Sequence, residues 1–287
     1  MMYPRLKLAR NLLTDDGVIF ISISEEEIEN LKKICNEIFG EVNFRNSIIV
    51  RRHDKNLNRQ FIENGLMSLN IGFEYILVYA KSPQYTFNAI YKEANEKRKN
   101  EGYWKGFWND ADRPTMRYEI LGVLPKNGQW KWKKEVAEEA VKNYEKYIEL
   151  YSREMTLEEY WEKTNKVLKF IRRNINGKGK NMGVENWIPP SDGILRNSNW
   201  LDILATTSDK TSQGLFDFPK NLDLIKEIIK CSTNEDSIIL DFFSGSATTA
   251  HAVMQLNAED TSTGSVPGNR KYIMVQLPEA TDEKSEA

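Results

Sequence analysis

Apolar and polar residues alternate along the chain with two periods, one typical of helices and one typical of strands. Near the start, apolar residues recur at helical spacing over 2–13 and 25–39. Continuous apolar runs with β-branched and aromatic residues over 17–22, 47–50 and 73–80 predict strands. The order helix, strand, helix, strand, strand predicts a doubly wound α/β fold that closes in an antiparallel pair.

Regular structure returns in the last third of the chain. The pattern predicts a helix from Leu222, a strand over 237–240, a second helix from Thr248, a loop over 257–269 and a strand over 272–277. The middle of the chain, 82–200, looks different, because tryptophan, tyrosine, lysine and asparagine are interleaved there. Only 134–151 and 157–175 have convincing helical spacing in that region.

The segment 241–249 reads Asp-Phe-Phe-Ser-Gly-Ser-Ala-Thr-Thr and connects a predicted strand to a predicted helix. Small residues around Gly245 let a ligand approach the backbone, and the helix start offers unpaired N–H groups. An ordinary βα turn and a site for a nucleotide-like ligand both fit this pattern.

Basic residues occur in two places that are compatible with a polyanionic partner. Lysine and arginine outnumber the acidic residues over 87–200, although the net charge of the chain is −2. A separate basic cluster, predicted to bind DNA, consists of Arg51, Arg52, Lys55 and Arg59. Aromatic and basic residues together can stack on bases and contact phosphates, but the aromatics can equally form the core of an inserted domain.

Cysteine use and hydropathy restrict the class of protein. Cys35 and Cys231 lie in apolar, helix-like contexts without metal-ligand spacing, which predicts a reduced interior and no metal site. The sequence shows no membrane-spanning run and no signal-peptide pattern. A soluble, cytoplasmic protein is therefore expected.

The 241–249 segment resembles the cofactor loop of amino-methylating DNA methyltransferases, which usually has Asp, Phe, Gly-x-Gly and paired threonines; here Ala247 replaces the second glycine. Other segments extend the resemblance nearly end to end to the modification (Mod) subunit of type III restriction-modification systems. They are YPRLKLARNLL, DGVIFISI, EIFGEVNF, FEYILVYAK, FPKNLDLI and RKYIMVQLPE. The resemblance implies transfer of a methyl group from S-adenosylmethionine to adenine N6 in a short DNA site. It also implies a Mod homodimer and a helicase-nuclease restriction (Res) subunit as partners.

The same resemblance implies the beta arrangement of domains on a Rossmann-like methyltransferase sheet. The catalytic half is expected at 1–81, an α+β target-recognition insert at 82–200 and the cofactor half at 201–287. The residues that it assigns to cofactor binding are Phe218, Lys220, Asp241, Phe242, Ser244, Gly245, Ser246, Thr248 and Glu279. Among them, Glu279 corresponds to the acidic residue for the ribose hydroxyls. His251 is expected to pack or to form a hydrogen bond at the pocket edge.

One family motif is absent from the sequence. No Asp-Pro-Pro-Tyr, the motif that holds the flipped adenine, is present, and Pro189-Pro190 is interpreted as a turn or extended segment. The catalytic residues are therefore unknown, and Met1 is interpreted as an internal methionine of a truncated or mis-started chain. The expected fragment lacks the central fourth strand between 238–241 and 17–22. It is expected to be unstable, to bind cofactor weakly and to be inactive alone.

Two other functions remain open on the sequence. A non-catalytic DNA-recognition or assembly subunit agrees with the missing motif, although the nearly intact cofactor loop argues against it. N4-cytosine methylation uses the same fold, and the residues that best separate the two bases lie in the missing motif. A nicotinamide dehydrogenase fits poorly, because the loop lacks G-x-G-x-x-G and comes last in the chain.

Overall fold

The computed structural model describes residues 2–52, 69–207, 219–262 and 268–277. The chain forms two compact units. The first unit combines Met1–Ile90 with Leu195–Ala287, and the inserted unit is Tyr91–Ile194. The first and last predicted segments of the sequence thus contribute to one unit. Assignment of the inserted unit to target recognition stays a prediction.

The described elements are numbered in chain order. Strands β1 to β13 are Val18–Ile23, Phe44–Arg51, Phe73–Ala80, Tyr91–Glu93, Tyr103–Gly106, Trp108–Asn109, Gln129–Trp130, Ile171–Arg173, Val184–Ile188, Gly193–Leu195, Asn199–Leu204, Ile238–Asp241 and Lys271–Met274. Helices α1 to α7 are Tyr3–Leu12, Ile28–Phe39, Glu96–Asn100, Lys134–Leu150, Leu157–Lys163, Leu222–Ser232 and Thr248–Ser262. None of the described helices is long and apolar enough to cross a membrane.

A four-stranded sheet in the order β1, β3, β2, β11 forms the centre of the first unit. Strand β3 is antiparallel to both β1 and β2, so the predicted antiparallel pair is confirmed. Strand β11 is parallel to β2, with Trp200 opposite Val50. This pairing places 199–204 in the first unit, although the sequence boundary of the insert was set at residue 200.

Successive residues of β3 point to opposite faces of this sheet, and both faces are covered. Leu77 and Tyr79 pack with Leu6 of α1 and with Cys35 and Phe39 of α2. On the other face, side chains of β2 and β3 pack with α6; the buried members include Ile48, Val50, Ile76, Val78, Leu224 and Cys231. Helices therefore cover both faces of the sheet, in agreement with the predicted α/β class.

A second, two-stranded sheet consists of the parallel strands β12 and β13. Helices α6 and α7 pack beside it through Ile229, Val253 and Leu256. Among the described strands, β1 pairs only with β3, and β12 pairs only with β13. No described strand joins β1 to β12. The expectation that a central strand is missing between them stays a prediction.

Local capping fixes several element ends. Gly40 adopts φ +92°, a value that favours glycine, and α2 ends at Phe39 as predicted. Helix α6 begins after Asn221, whose side-chain oxygen accepts a hydrogen bond from the Asp223 N–H over 2.8 Å.

In the inserted unit, β5, β9 and β8 form an antiparallel sheet, while β6 pairs with β7. Most of its large aromatics are core residues. One cluster contains Phe107 and Trp130, and another contains Tyr160, Trp161 and Trp187. The interpretation that the aromatic residues form the core of an inserted domain therefore holds for these rings. Stacking on bases could involve only the described aromatic residues of this unit that are partly or fully exposed.

Two sequence predictions of secondary structure were wrong. The predicted helix 157–175 ends at Lys163, because Asn165 and Lys166 adopt φ values of 56° and 61°, and β8 follows. The predicted loop 257–269 begins as helix, since α7 continues to Ser262. There, Asn257 forms side-chain hydrogen bonds with the backbone of Arg270, which ties the end of α7 to the approach to β13.

Candidate cofactor site

The carboxylate of Asp241 fastens the end of β12 to the start of α7. Its Oδ2 accepts a hydrogen bond from the Thr249 hydroxyl over 2.6 Å, and its Oδ1 accepts one from the Phe243 N–H over 3.1 Å. Thr249 is buried, whereas Asp241 is half-buried. A carboxylate at this position therefore fixes the shape of the loop that follows the strand.

Two residues of the loop have left-handed backbone conformations. Gly245 has φ +46° and Ala247 has φ +58°, and the Ala247 N–H donates to the Ser244 carbonyl over 2.7 Å. A left-handed conformation costs a residue with a Cβ about 1 kcal/mol or more. Ala247 therefore holds, at a cost, the backbone conformation that glycine adopts freely.

Loop hydroxyls gather at the first turn of α7. The Ser246 and Thr248 hydroxyls lie 3.0 Å apart, and Thr248 Oγ1 lies 3.5 Å from the Lys220 carbonyl oxygen. The first turn of any helix also leaves backbone N–H groups without intrahelical partners. Hydroxyl and N–H groups together suit a ligand with a carboxylate and other polar groups.

The segment after β13 closes the loop from the other side. Val275 and Ser244 are joined by a backbone hydrogen bond of 3.2 Å, and Gln276 Oε1 accepts a hydrogen bond from the Gly245 N–H over 3.1 Å. Gln276 was missed by the sequence reasoning, which considered only the acidic residue further along. A polar side chain just after the second strand was the available signal.

Aromatic residues attach the loop to the first helices. Phe242 packs against the α1 and α2 cluster. The Arg5 guanidinium lies 5.4 Å from the centre of the Phe243 ring. Arg5 was also missed, because nothing in the local sequence links it to a loop so distant in the chain.

Lys220 reaches the site through its backbone. Its carbonyl oxygen lies near the Thr248 hydroxyl, and its backbone forms an isolated β-bridge with Thr206. Its amine instead pairs with Glu74 of β3 at 2.5 Å. The structure thus brings Lys220 to the loop but directs its charge toward the four-stranded sheet.

The remaining predicted residues fall into three groups. Phe218, Glu279, Lys55 and Arg59 lie outside the described residues. His251 is exposed, with its Nε2 2.9 Å from the Gln255 side-chain amide, which agrees with the expected hydrogen-bonding role. Pro189 and Pro190 lie in irregular structure after β9, as expected for a turn or extended segment.

Arg51 and Arg52, predicted to bind DNA, lie at the end of β2. The Arg52 N–H donates to the Gly72 carbonyl over 2.9 Å. Hydrogen bonds from Ser24 and from its own backbone lower the pKa of Glu26, and the charge of Arg52 lowers it further. Arg52 thus lies near an acidic side chain, and a DNA contact by these arginines stays a prediction.

The parallel strand β12, the loop with left-handed Gly245 and Ala247, and the N-terminus of α7 together form the arrangement of a cofactor-binding α/β protein. The chain belongs to the DNA methylase family of N6 and N4 methyltransferases, whose model matches residues 1–280.

Similar proteins include subunits of restriction-modification systems. The chain is 32% identical to the type III restriction-modification enzyme StyLTI Mod subunit of Salmonella typhimurium, over 97% of this chain and 40% of that protein. It is 30% identical to the type II methyltransferase M.KpnI of Klebsiella pneumoniae, over 96% of this chain and 66% of that protein. A solved M1.HpyAVI–SAM complex aligns over 97% of this chain and 78% of its own at 13% identity and a TM-score of 0.42. The chain thus spans less than half the length of the StyLTI subunit.

Proposed function

We propose that this chain is part of an adenine-N6 DNA methyltransferase that uses S-adenosylmethionine within a type III restriction-modification system. The observation that carries the proposal is the loop fastened by Asp241 and Thr249 at the open end of α7. Family membership supports the reaction class. Duplex DNA is the proposed substrate, and a Res subunit and a second Mod copy are the proposed partners, in the cytoplasm.

The residues present fit the proposed cofactor. Gly245 allows close approach to the loop backbone, and the Ser246 and Thr248 hydroxyls supply polar partners beside the first turn of α7. Helix N–H groups at that end suit the carboxylate of an amino acid group. S-adenosylmethionine supplies an electrophilic methyl group when bound. The chain's own residues hold and orient the cofactor.

Methyl transfer also needs groups that hold the flipped adenine, and the sequence contains no Asp-Pro-Pro-Tyr. We therefore propose that these residues alone bind cofactor weakly and do not methylate DNA. An assembly or DNA-recognition role is the second candidate. It is favoured by exposed apolar side chains on the two-stranded sheet, where Ile238 is 66% and Ile273 is 52% exposed.

Isothermal titration with S-adenosylmethionine tests the cofactor proposal. The wild-type chain should bind measurably, and Gly245→Val should abolish binding, since a β-branched residue is strained at that φ. Ala258→Ser, an exposed change farther along α7, is the control and should bind normally. Absence of binding at millimolar cofactor, or equal binding by Gly245→Val, contradicts the proposal.

The two candidate roles also predict different sequences in the DNA that flanks the coding sequence. Translation of the genomic DNA that flanks the coding sequence shows whether an Asp-Pro-Pro-Tyr is encoded in frame. Such a motif supports the methyltransferase, and methylated adenine should then be found in that genome. A stop codon without the motif supports the binding or assembly role.

A further inference from the structure

A groove in the inserted unit lies between helix α4 and strand β8. Its volume is about 790 Å³. The residues that line it from α4 are spaced three or four apart and therefore share one face of the helix; they are Val141, Tyr144, Glu145, Ile148 and Glu149. The other wall consists of Leu121 and the run 171–176, which begins with β8. All of these residues belong to the inserted unit, so the groove is complete within it.

Side-chain hydrogen bonds to backbone carbonyls hold the walls of the groove. The Arg173 guanidinium donates to the Leu121 carbonyl over 2.6 Å. The Asn143 side-chain amide donates to the Lys169 carbonyl over 3.2 Å and thereby joins α4 to the segment before β8. Buried Ile171 of β8 packs in one cluster with the alanines of α4. The groove is therefore preformed, and a ligand does not have to open it.

Two isoleucines of the groove are exposed to solvent. Ile148 of α4 is 49% exposed, and Ile175, which follows β8, is 93% exposed. One exposed isoleucine is common on a protein surface, but here two of them line the same groove. A small ligand between the walls would leave these side chains largely in water. A peptide segment that lies along the groove covers them.

The free charges of the groove are negative. Glu145 and Glu149 lie one helical turn apart, and within the residues that the structure describes neither carboxylate forms an ion pair. By contrast, Glu138 of the same helix pairs with a lysine at 3.7 Å. On the opposite wall, Arg172 pairs with a glutamate of β9 at 3.0 Å, and Arg173 is engaged by the carbonyl described above. The groove therefore attracts lysine or arginine and repels phosphate groups.

We propose that this surface, called the α4 groove, binds a segment of a partner protein in which large apolar side chains are flanked by lysine or arginine. The apolar side chains of the segment cover Ile148 and Ile175, and its basic side chains pair with Glu145 and Glu149. The complementary charges favour such a peptide over nucleic acid. The inference goes beyond the proposed function and does not depend on cofactor binding, because the groove lies entirely within the inserted unit.

Selection from a random-peptide phage library on the immobilised full chain provides the probe. Peptides that also bind the double variant Ile148→Ser/Ile175→Ser are removed by counter-selection, so that those retained depend on the groove. We expect the retained peptides to combine large apolar residues with lysine or arginine. The enriched peptide is then synthesised, and its Kd is measured by fluorescence anisotropy at several salt concentrations.

The glutamates test the proposal independently, because they take no part in the selection. Glu145→Gln and Glu149→Gln should each raise the Kd of the synthetic peptide about threefold at low salt, and the double variant about tenfold. The double variant should also make the Kd less dependent on salt concentration, since it removes the charges that attract the peptide.

Glu139→Gln is the matched control. Glu139 is an exposed residue of α4 that does not line the groove. This variant removes the same charge from the same helix and should leave the Kd of the peptide unchanged. Circular dichroism checks that every variant is folded.

Each of the other possible results contradicts the α4 groove. Failure to enrich any peptide does so, as do enriched peptides without lysine or arginine and a Kd that is unchanged in the Glu145 and Glu149 variants. Self-association of the wild-type chain that is lost in Ile148→Ser/Ile175→Ser, measured by sedimentation equilibrium, assigns the groove to a second copy instead. Displacement of the peptide by duplex DNA assigns it to nucleic acid. S-adenosylmethionine binding is measured separately, so the inference and the proposed function can fail independently.

Discussion

The Thr249 hydroxyl donates to Asp241 across the loop that joins β12 to α7, over 2.6 Å. One residue ends a strand and the other lies in the first turn of a helix, so a single hydrogen bond sets the spacing between them. Because the acceptor is a carboxylate, this bond is stronger than one between neutral groups.

Removal of that hydroxyl should destabilise the first unit. Thr249→Val keeps the shape of the side chain but leaves the Asp241 carboxylate without this donor, and we expect a loss of about 1.5–3 kcal/mol in the free energy of unfolding. Urea denaturation measures the loss. Thr248→Val is the matched control, since among the described residues its hydroxyl meets only the Ser246 hydroxyl and the Lys220 carbonyl at 3.5 Å, and it should cost less than about 1 kcal/mol. Equal losses would show that the Asp241 bond has no special role.

Ala247→Gly should stabilise the chain, because glycine adopts φ near +58° without steric cost. The expected gain is about 1 kcal/mol. The same substitution at Ala258, an exposed helical position of α7, should instead cost up to about 1 kcal/mol. Thermal unfolding of both variants tests the contrast. A loss of stability in Ala247→Gly would mean that the left-handed conformation is not strained.

Both cysteines should react slowly with thiol reagents in the folded chain. Burial raises the pKa of Cys35 to about 12, and burial and then Glu227 raise the pKa of Cys231 to about 12. Thiolate, the reactive form, is therefore rare at pH 8 until the chain unfolds. Reaction with an aromatic disulfide reagent, with and without urea, measures this difference. Rapid labelling without denaturant would contradict it.

The same shifts predict a pH dependence of stability. In the unfolded chain the thiols ionise near their ordinary value of about 9, whereas in the folded chain they retain their protons up to about 12. The folded state binds more protons in this range, so stability should fall as pH rises from about 9 to about 12. Cys35→Ala should reduce this dependence in urea denaturation curves. An unchanged pH profile would exclude Cys35 as its source.

The ion pair between Lys220 and Glu74 should contribute only modestly, since the Lys220 side chain is 34% exposed. A double-mutant cycle with Lys220→Met and Glu74→Gln should give a coupling of about 0.5–1 kcal/mol. We also expect Lys220→Met to change cofactor affinity little, because Lys220 meets the loop through its carbonyl. A large loss of affinity with no coupling would instead assign the amine to the cofactor.

The sequence was informative where one local signal determined the structure. The end of α2 was predicted correctly, since Gly40 alone stops that helix. The antiparallel pair of β2 and β3 followed from two strongly apolar runs. The loop with Gly245 was placed correctly because strand, small residues and helix are contiguous in the chain.

The sequence was uninformative where contacts between distant segments determine the local structure. Apolar residues between Leu168 and Ile171 fit helical spacing as well as a strand, and the left-handed backbone at Asn165 decides the outcome. Contacts of Gln276 with Gly245 and of Glu74 with Lys220 join distant segments. The pairing of Lys105 with Asn186 likewise appears only when strands align.

The inserted unit begins with β4 and ends with β10, and these two strands pair in a two-stranded sheet of their own. The Ala94 N–H also donates to the Asp192 carbonyl over 2.8 Å, so the ends of the insert meet. A segment with neighbouring ends can be lengthened, shortened or exchanged between related genes without altering the path of the chain on either side. The inserted unit can thereby change in sequence and length while the cofactor loop stays the same.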